Sequence, residues 1–257
     1  MIPIKSESEI LIMRKACRIA ANVLDRLCRL VAPGVNTYDL DQEGRKLLDQ
    51  YQARSACYGY CIGNKRFPAY TCLSVNDEIV HGIGDLRRVL REGEIVSVDV
   101  CVEYQGYIGD NARTVPVGTI SPTKQDLLDR TRKALELGIE QARSSNRVGA
   151  ISNAVERYIR PFGYGIVRDF VGHGVGKSMH EAPQIPNFGP RTRGERLRPG
   201  MTLAIEPMIA QGRSKVIMAD DGWTALTVDG SPAAHFEHTV LVTRGGPEIL
   251  TIPGEDL

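Results

Sequence analysis

Hydrophobic spacing along the chain switches twice from a helical to an alternating pattern, so the same order of elements is predicted in each half. Ser6-x-x-Glu9 forms a capping box, and the apolar residues Ile12, Cys17, Ile19, Val23, Leu24, Leu27 and Val31 follow it until Pro33-Gly34 ends the helix. Asn36 or Thr37 caps a second helix running to about Gln52. Ser121-Pro122 opens a third, to about Ser144, with proline at its tolerated first position. A fourth spans 151–159 and stops before Pro161. Strands are predicted over 70–75, 95–103, 107–117, 202–208 and 236–242. The class is α+β.

An internal echo accompanies this order. His81-Gly82-Ile83-Gly84 returns as His173-Gly174-Val175-Gly176, and Leu90-Arg91-Glu92-Gly93 as Leu197-Arg198-Pro199-Gly200. Counted from the two Leu-Arg pairs, Asp99 and Glu206 fall at the same offset, each in a β-rich run. A second acid then precedes a Thr-Val pair in each half: Asp110 before Thr114-Val115, and Glu237 before Thr239-Val240. Such a duplication sets two carboxylate hairpins face to face across a pseudo-twofold axis, with helices on the outer side.

The acids occupy positions where a strand would otherwise be apolar. In 95–102, strict alternation puts Val96, Val98, Val100 and Val102 on one face and Asp99 on the other. A four-residue turn at 103–106 would bring the next strand back with Asp99 directly opposite Asp110. Like charges so placed repel, and four interior acids are costly to bury without cations. Four carboxylates and one imidazole suit two divalent ions of the Mn, Fe, Co or Zn type. Two such ions can acidify a water and polarise a carbonyl, which is equipment for hydrolysis at neutral pH. His173 and His180 lie in a stretch too glycine-rich for a helix interior, where the backbone can approach a site closely.

Composition narrows the classes further. The 257 residues are 42% hydrophobic and 25% charged, with 32 Lys and Arg against 31 Asp and Glu, so wholesale binding to nucleic acid or an anionic membrane surface is excluded. Neither a membrane span nor a signal peptide is recognisable, and a cytoplasmic location is expected. The six cysteines are then expected as reduced thiols, and Cys57, Cys61 and Cys72 lack a fourth ligand for structural zinc.

The segments Asn76-Asp77-Glu78-Ile79-Val80-His81-Gly82, Val98-Asp99-Val100, Gly109-Asp110-Asn111, Gly172-His173-Gly174-Val175-Gly176, His180-Glu181-Ala182-Pro183, Ala204-Ile205-Glu206-Pro207 and Phe236-Glu237-His238-Thr239-Val240 together resemble the type I methionine aminopeptidases. The resemblance runs through nearly the whole chain in the family's order. It implies a pita-bread fold, a curved antiparallel sheet with two pseudo-twofold-related halves (about 1–120 and 121–257) and helices on the outer face, forming one catalytic domain over 1–257. It implies that Asp99, Asp110, His173, Glu206 and Glu237 hold two divalent ions, with Asp110 and Glu237 bridging them. By the same resemblance His81 contacts the substrate near the scissile bond and His180 steadies its carbonyl or oxyanion. It further implies that Glu206 carries a proton from the attacking water to the leaving amine. A soft pocket for a methionine side chain is implied at Cys57, Tyr60, Phe67, Cys72, Met179 and Trp223. Met179 stands where an aromatic is expected, and His235 where a Gln or another polar residue is expected.

The implied function is removal of the initiator methionine from peptides and nascent chains whose second residue is small. A transient ribosome contact and a monomeric state are the matching expectations. A proline-specific peptidase of the same fold would share the five ligands and two histidines, but would usually carry a long extra N-terminal domain. A non-catalytic binding protein of this fold would be expected to lack ligands, and all five are present.

Overall fold

Ser6 starts α1 (Glu7–Leu30) as predicted: its side chain accepts from the Glu9 amide while Glu9 reaches back to the Ser6 amide. Asn36 caps α2 (Thr37–Gln50) in the same manner through the Asp39 amide. α3 (Pro122–Glu140) ends about a turn before Ser144, where the Asn146 side chain takes the Gln141 carbonyl and closes the helix end. α4 (Val148–Ile159) starts earlier than position 151, and Pro161 lies in the 3-10 turn that follows it. The computed structural model describes residues 2–254; Met1 and 255–257, the ends of the domain expected over 1–257, lie outside the described residues.

Nine strands form one antiparallel sheet. In chain order they are β1 (Arg54–Ser55), β2 (Cys72–Val75), β3 (Ile95–Tyr104), β4 (Tyr107–Pro116), β5 (Gly172–Gly174), β6 (Glu181–Ile185), β7 (Thr202–Ile205), β8 (Glu237–Val242) and β9 (Pro247–Ile249). The path runs β1-β3-β4-β8-β7-β5-β6, with β2 also on β3 and β9 also on β8. The hairpin β3·β4 and the antiparallel pair β7·β8 meet where β4 pairs with β8 through Glu237 opposite Ala112. Val96, Val98, Val100 and Val102 join α1 and α2 in one core. Leu203, Ile205, Val240 and Val242 join α3 and α4 in another. Each half thus buries its apolar sheet face under its own helix pair.

Three expectations are corrected. The β3·β4 turn has two residues, Gln105 and Gly106, both with positive φ (50° and 79°), because that geometry matches the twist of a hairpin. The register therefore moves by two: Asp110 faces Cys101, Asp99 faces Ala112, and the two acids lie diagonally on one face. The strand expected over 202–208 breaks at Glu206-Pro207, since Pro207 has no amide for the ladder, and Met208–Ala210 pairs with Ala233–His235 in a separate three-stranded sheet. The echo of His81 with His173 is not a pairing that the sheet makes. His173 sits in β5, which flanks β7 as β2 flanks β3, whereas His81 follows the short strand Glu78–Val80 outside the nine-stranded sheet. Strands β5 and β6 were not predicted, because three residues and a Pro-containing run carry too little alternation.

α1 lies so close to β4 that a Cβ on Gly109 would stand 2.5 Å from the Cys17 amide nitrogen and 2.6 Å from the Ala16 carbonyl. Both neighbours are helix backbone and cannot turn away. Gly109→Ala is expected to lower stability by about 2–3 kcal/mol or more, read as an earlier urea midpoint of the metal-free protein. An unchanged midpoint would show that α1 can slide on the sheet.

Candidate metal centre and substrate cavity

The five residues expected to bind metal converge from five strands of the sheet. Asp99 comes from β3, Asp110 from β4, His173 from β5 and Glu237 from β8, while Glu206 follows the end of β7. Donor atoms fall into three overlapping triads, Asp99–Cys101–Asp110, Asp110–His173–Glu237 and Glu206–His235–Glu237, each spanning no more than 4.8 Å. The set includes all five expected residues and adds Cys101 and His235.

Local bonds aim these groups. Thr239 both donates to the Asp110 carbonyl (2.8 Å) and accepts from its amide (3.2 Å), which pins β4 to β8 beside the carboxylate. The Cys101 thiol, brought opposite Asp110 by the two-residue turn, donates to Asp110 Oδ1 at 2.7 Å. His173 Nδ1 lies 3.0 Å from the Gly174 carbonyl, which can only accept, so the proton is on Nδ1. The Nε2 lone pair then faces Glu206 Oε1 at 3.3 Å and Asp110 Oδ2 at 3.9 Å. That tautomer is the one a metal-binding imidazole needs.

Burial makes the cluster electrostatically incomplete. Desolvation lifts the Asp110 and Glu206 carboxyls to about 8. It lifts Asp99 and Glu237 well above the carboxylate range as well, with the negative charge of Asp110 adding to both. Burial pushes His173 and His81 down to about 4. Among the described residues no Lys or Arg lines the cavity onto which these acids open, and Glu237 Oε1 is buried without a hydrogen-bond partner. Oxygen-rich donors with an imidazole, an orphaned carboxylate oxygen and uncompensated negative charge fit divalent metal ions.

A cavity of about 340 Å³ opens onto this cluster, and all the expected site residues line it. Phe67 and Trp223 meet edge to face at 5.3 Å, and with Cys57, Cys72 and Cys101 they form an apolar, sulfur-rich wall. Tyr60 OH lies 2.9 Å from His180 Nδ1, and the His180 ring stands 4.5 Å from that of His173. His81 has a positive φ of 62° and sets its ring against Phe170 at 5.3 Å. Met179 packs against the sulfur-rich wall in place of the expected aromatic. Ile62, Cys101, Asp169, Phe170 and Val171 also line the cavity and were not singled out from sequence. Only Cys101 carried a signal, as the alternate residue after Asp99 on the same strand face.

A curved antiparallel sheet with this donor set at its central seam defines a metallopeptidase, and the chain belongs to metallopeptidase family M24, whose model matches residues 12–244. Within the family it groups with the type I methionine aminopeptidases. It is 45% identical over 252 residues to the methionine aminopeptidase of Clostridium acetobutylicum, covering 98% of this chain and 99% of that one. The crystal structure of methionine aminopeptidase from Thermotoga maritima superposes with a TM-score of 0.94 at 43% identity, covering 98% and 99% of the two chains. A prolidase from Pyrococcus horikoshii shares the fold, with a TM-score of 0.76 at 23% identity over 99% of this chain and 65% of that one.

The raised carboxyls make a pH prediction for metal-free protein. In the unfolded chain Asp and Glu lose their protons near pH 4, whereas folded Asp110 and Glu206 keep theirs up to about 8. The native state binds more protons in between, so stability falls as pH rises through 8. The buried histidines act in the opposite direction, but their contribution is complete by about pH 7. Metal-free protein should lose about 1 kcal/mol per carboxylate between pH 7 and 9, seen as a lower Tm, and divalent metal should abolish the loss. A melting temperature insensitive to pH over that range would contradict buried, protonated carboxyls.

Proposed function

We propose that this chain removes the N-terminal methionine from peptides and nascent proteins, and that Asp99, Asp110, His173, Glu206 and Glu237 hold two divalent ions for the purpose. One observation carries the proposal: the five donors and the sulfur-rich pocket open into the same cavity. Ions held there would acidify a water for attack and polarise the scissile carbonyl.

The remaining steps belong to the chain's own residues. Glu206, which lines the cavity at the end of β7, takes the proton of the attacking water and delivers it to the leaving amine. In the tautomer in which His180 Nδ1 accepts from Tyr60 OH, 2.9 Å away, the neutral His180 ring presents its other N–H to the substrate carbonyl and the oxyanion it becomes. His81, half-buried and uncharged, contacts the substrate beside the scissile bond. Cys57, Tyr60, Phe67, Cys72, Met179 and Trp223 accept the thioether side chain, because polarizable sulfur and ring edges suit it. With this function go a cytoplasmic location, a monomeric state and a transient contact with the ribosome; among the described residues no helix is long and apolar enough to cross a membrane.

Glu206→Gln should leave the fold intact and lower hydrolysis of Met-Ala-Ser by about two orders of magnitude or more. Retained activity would remove Glu206 from the chemistry. On a panel of Met-Ala and Xaa-Pro peptides, only the former should be cleaved; cleavage confined to Xaa-Pro substrates would transfer the chain to the proline-specific branch.

A further inference from the structure

Glu206 is flanked by two imidazoles, and only one of them, His173, belongs to the expected ligand set. His235 Nε2 lies 3.3 Å from Glu206 Oε2, and His173 Nε2 lies the same 3.3 Å from Oε1. His235 is 2% exposed, and its Nε2 is buried with no hydrogen-bond partner. The atom therefore approaches a carboxylate oxygen without making a hydrogen bond to it. A nitrogen and an oxygen that share one ion, each at about 2.0–2.2 Å, stand about 3 to 3.5 Å apart along the edge of the coordination shell. The His173–Glu206 edge has that length, and the His235–Glu206 edge matches it.

The backbone of His235 is held as firmly as that of a ligand. Its amide donates to Thr114 Oγ1 (2.8 Å), whose hydroxyl returns a bond to the His235 carbonyl (2.9 Å). Thr114 Oγ1 in turn meets Ser97 Oγ at 2.8 Å, which ties the position to the strand that carries Asp99. His235 also lies opposite Met208 at the break after Glu206-Pro207, and so enters the cluster from the three-stranded sheet and not from the nine-stranded one. Glu237 Oε1, the other partnerless donor here, belongs to the same triad.

Building on the two-metal function proposed above, we infer that His235 is a further metal ligand, giving the centre a second imidazole nitrogen on the Glu206–Glu237 edge. A centre with two imidazoles favours imidazole-seeking ions such as Zn, Co or Fe over Mn, which a purely carboxylate environment suits better. Replacement of His235 by Gln keeps a polar side chain but removes the imidazole.

The test counts imidazoles without measuring turnover. In proton NMR of the cobalt-loaded protein, two exchangeable, hyperfine-shifted imidazole N–H signals are expected, and His235→Gln should remove one of them. The same substitution should weaken zinc about tenfold or more against a chelator while changing manganese less. His235→Asn provides the same comparison should the Gln variant not fold, and the wild-type spectrum is informative by itself. A cobalt-loaded wild type with one such signal, or two signals that both survive in the variants, would overturn the assignment of His235 and leave the five-ligand centre standing. Failure of the wild type to bind any divalent ion by calorimetry would overturn the centre itself, and His235 with it.

Discussion

Mutual repulsion and desolvation of four carboxylates at the β4·β8 seam is the constraint around which this molecule is organised. Asp110 and Glu237 are each 3% exposed, deeper than acids go without a partner. Among the described residues no Lys or Arg lines the cavity beside them, and burial, with the repulsion of neighbouring acids adding to it, holds the carboxyls well above their ordinary range. Such a cluster is unfavourable for folding when empty and becomes favourable when divalent cations occupy it. Binding strength at the centre and strain in the metal-free fold are therefore the same quantity seen from two sides.

The helices exist, in this sense, to hold a charged seam rigid. α1 approaches β4 to backbone contact at Gly109, one residue before Asp110, so the carboxylate is carried by a strand that cannot move relative to its helix. Thr239 fastens the same residue to β8 through both its amide and its carbonyl. The valine face of β3 is buried under α1 and α2, which obliges Asp99 and Cys101 to face the cavity. Packing on one side of the sheet thereby sets the chemistry on the other.

The break after β7 is the second decisive feature. Pro207 ends the ladder immediately after Glu206, leaving that carboxylate at the end of a strand and free to meet imidazoles on both sides. The neighbouring sheet formed by Met208–Ala210 and Ala233–His235 brings in His235, a residue far from Glu206 in sequence but next to it in space. His81 and Phe170 close the cavity from outside the main sheet. Residues of different sheets thus meet at one centre because the chain changes sheets at Pro207.

Much of this was legible in the residues. The capping box at Ser6, the proline opening α3, the valine alternation in β3 and the acids that interrupt apolar strands are local signals, and local physics decides them. They were enough to identify the helix pairs and the four candidate carboxylates, while His173 as the fifth candidate was implied by the family resemblance. What the chain could not announce was set by non-local pairing. The two-residue turn at Gln105-Gly106 moved Asp110 from Asp99 to Cys101, a shift that no strand pattern distinguishes, because a slip of two residues keeps every side chain on its face. β5 and β6 escaped notice because each is stabilised by its neighbours and not by its own composition. His235 was visible as an unexpected residue but not as a neighbour of Glu206. Its sequence determined that an imidazole would be there; only the tertiary structure, by closing two sheets around one carboxylate, decided what that imidazole could reach.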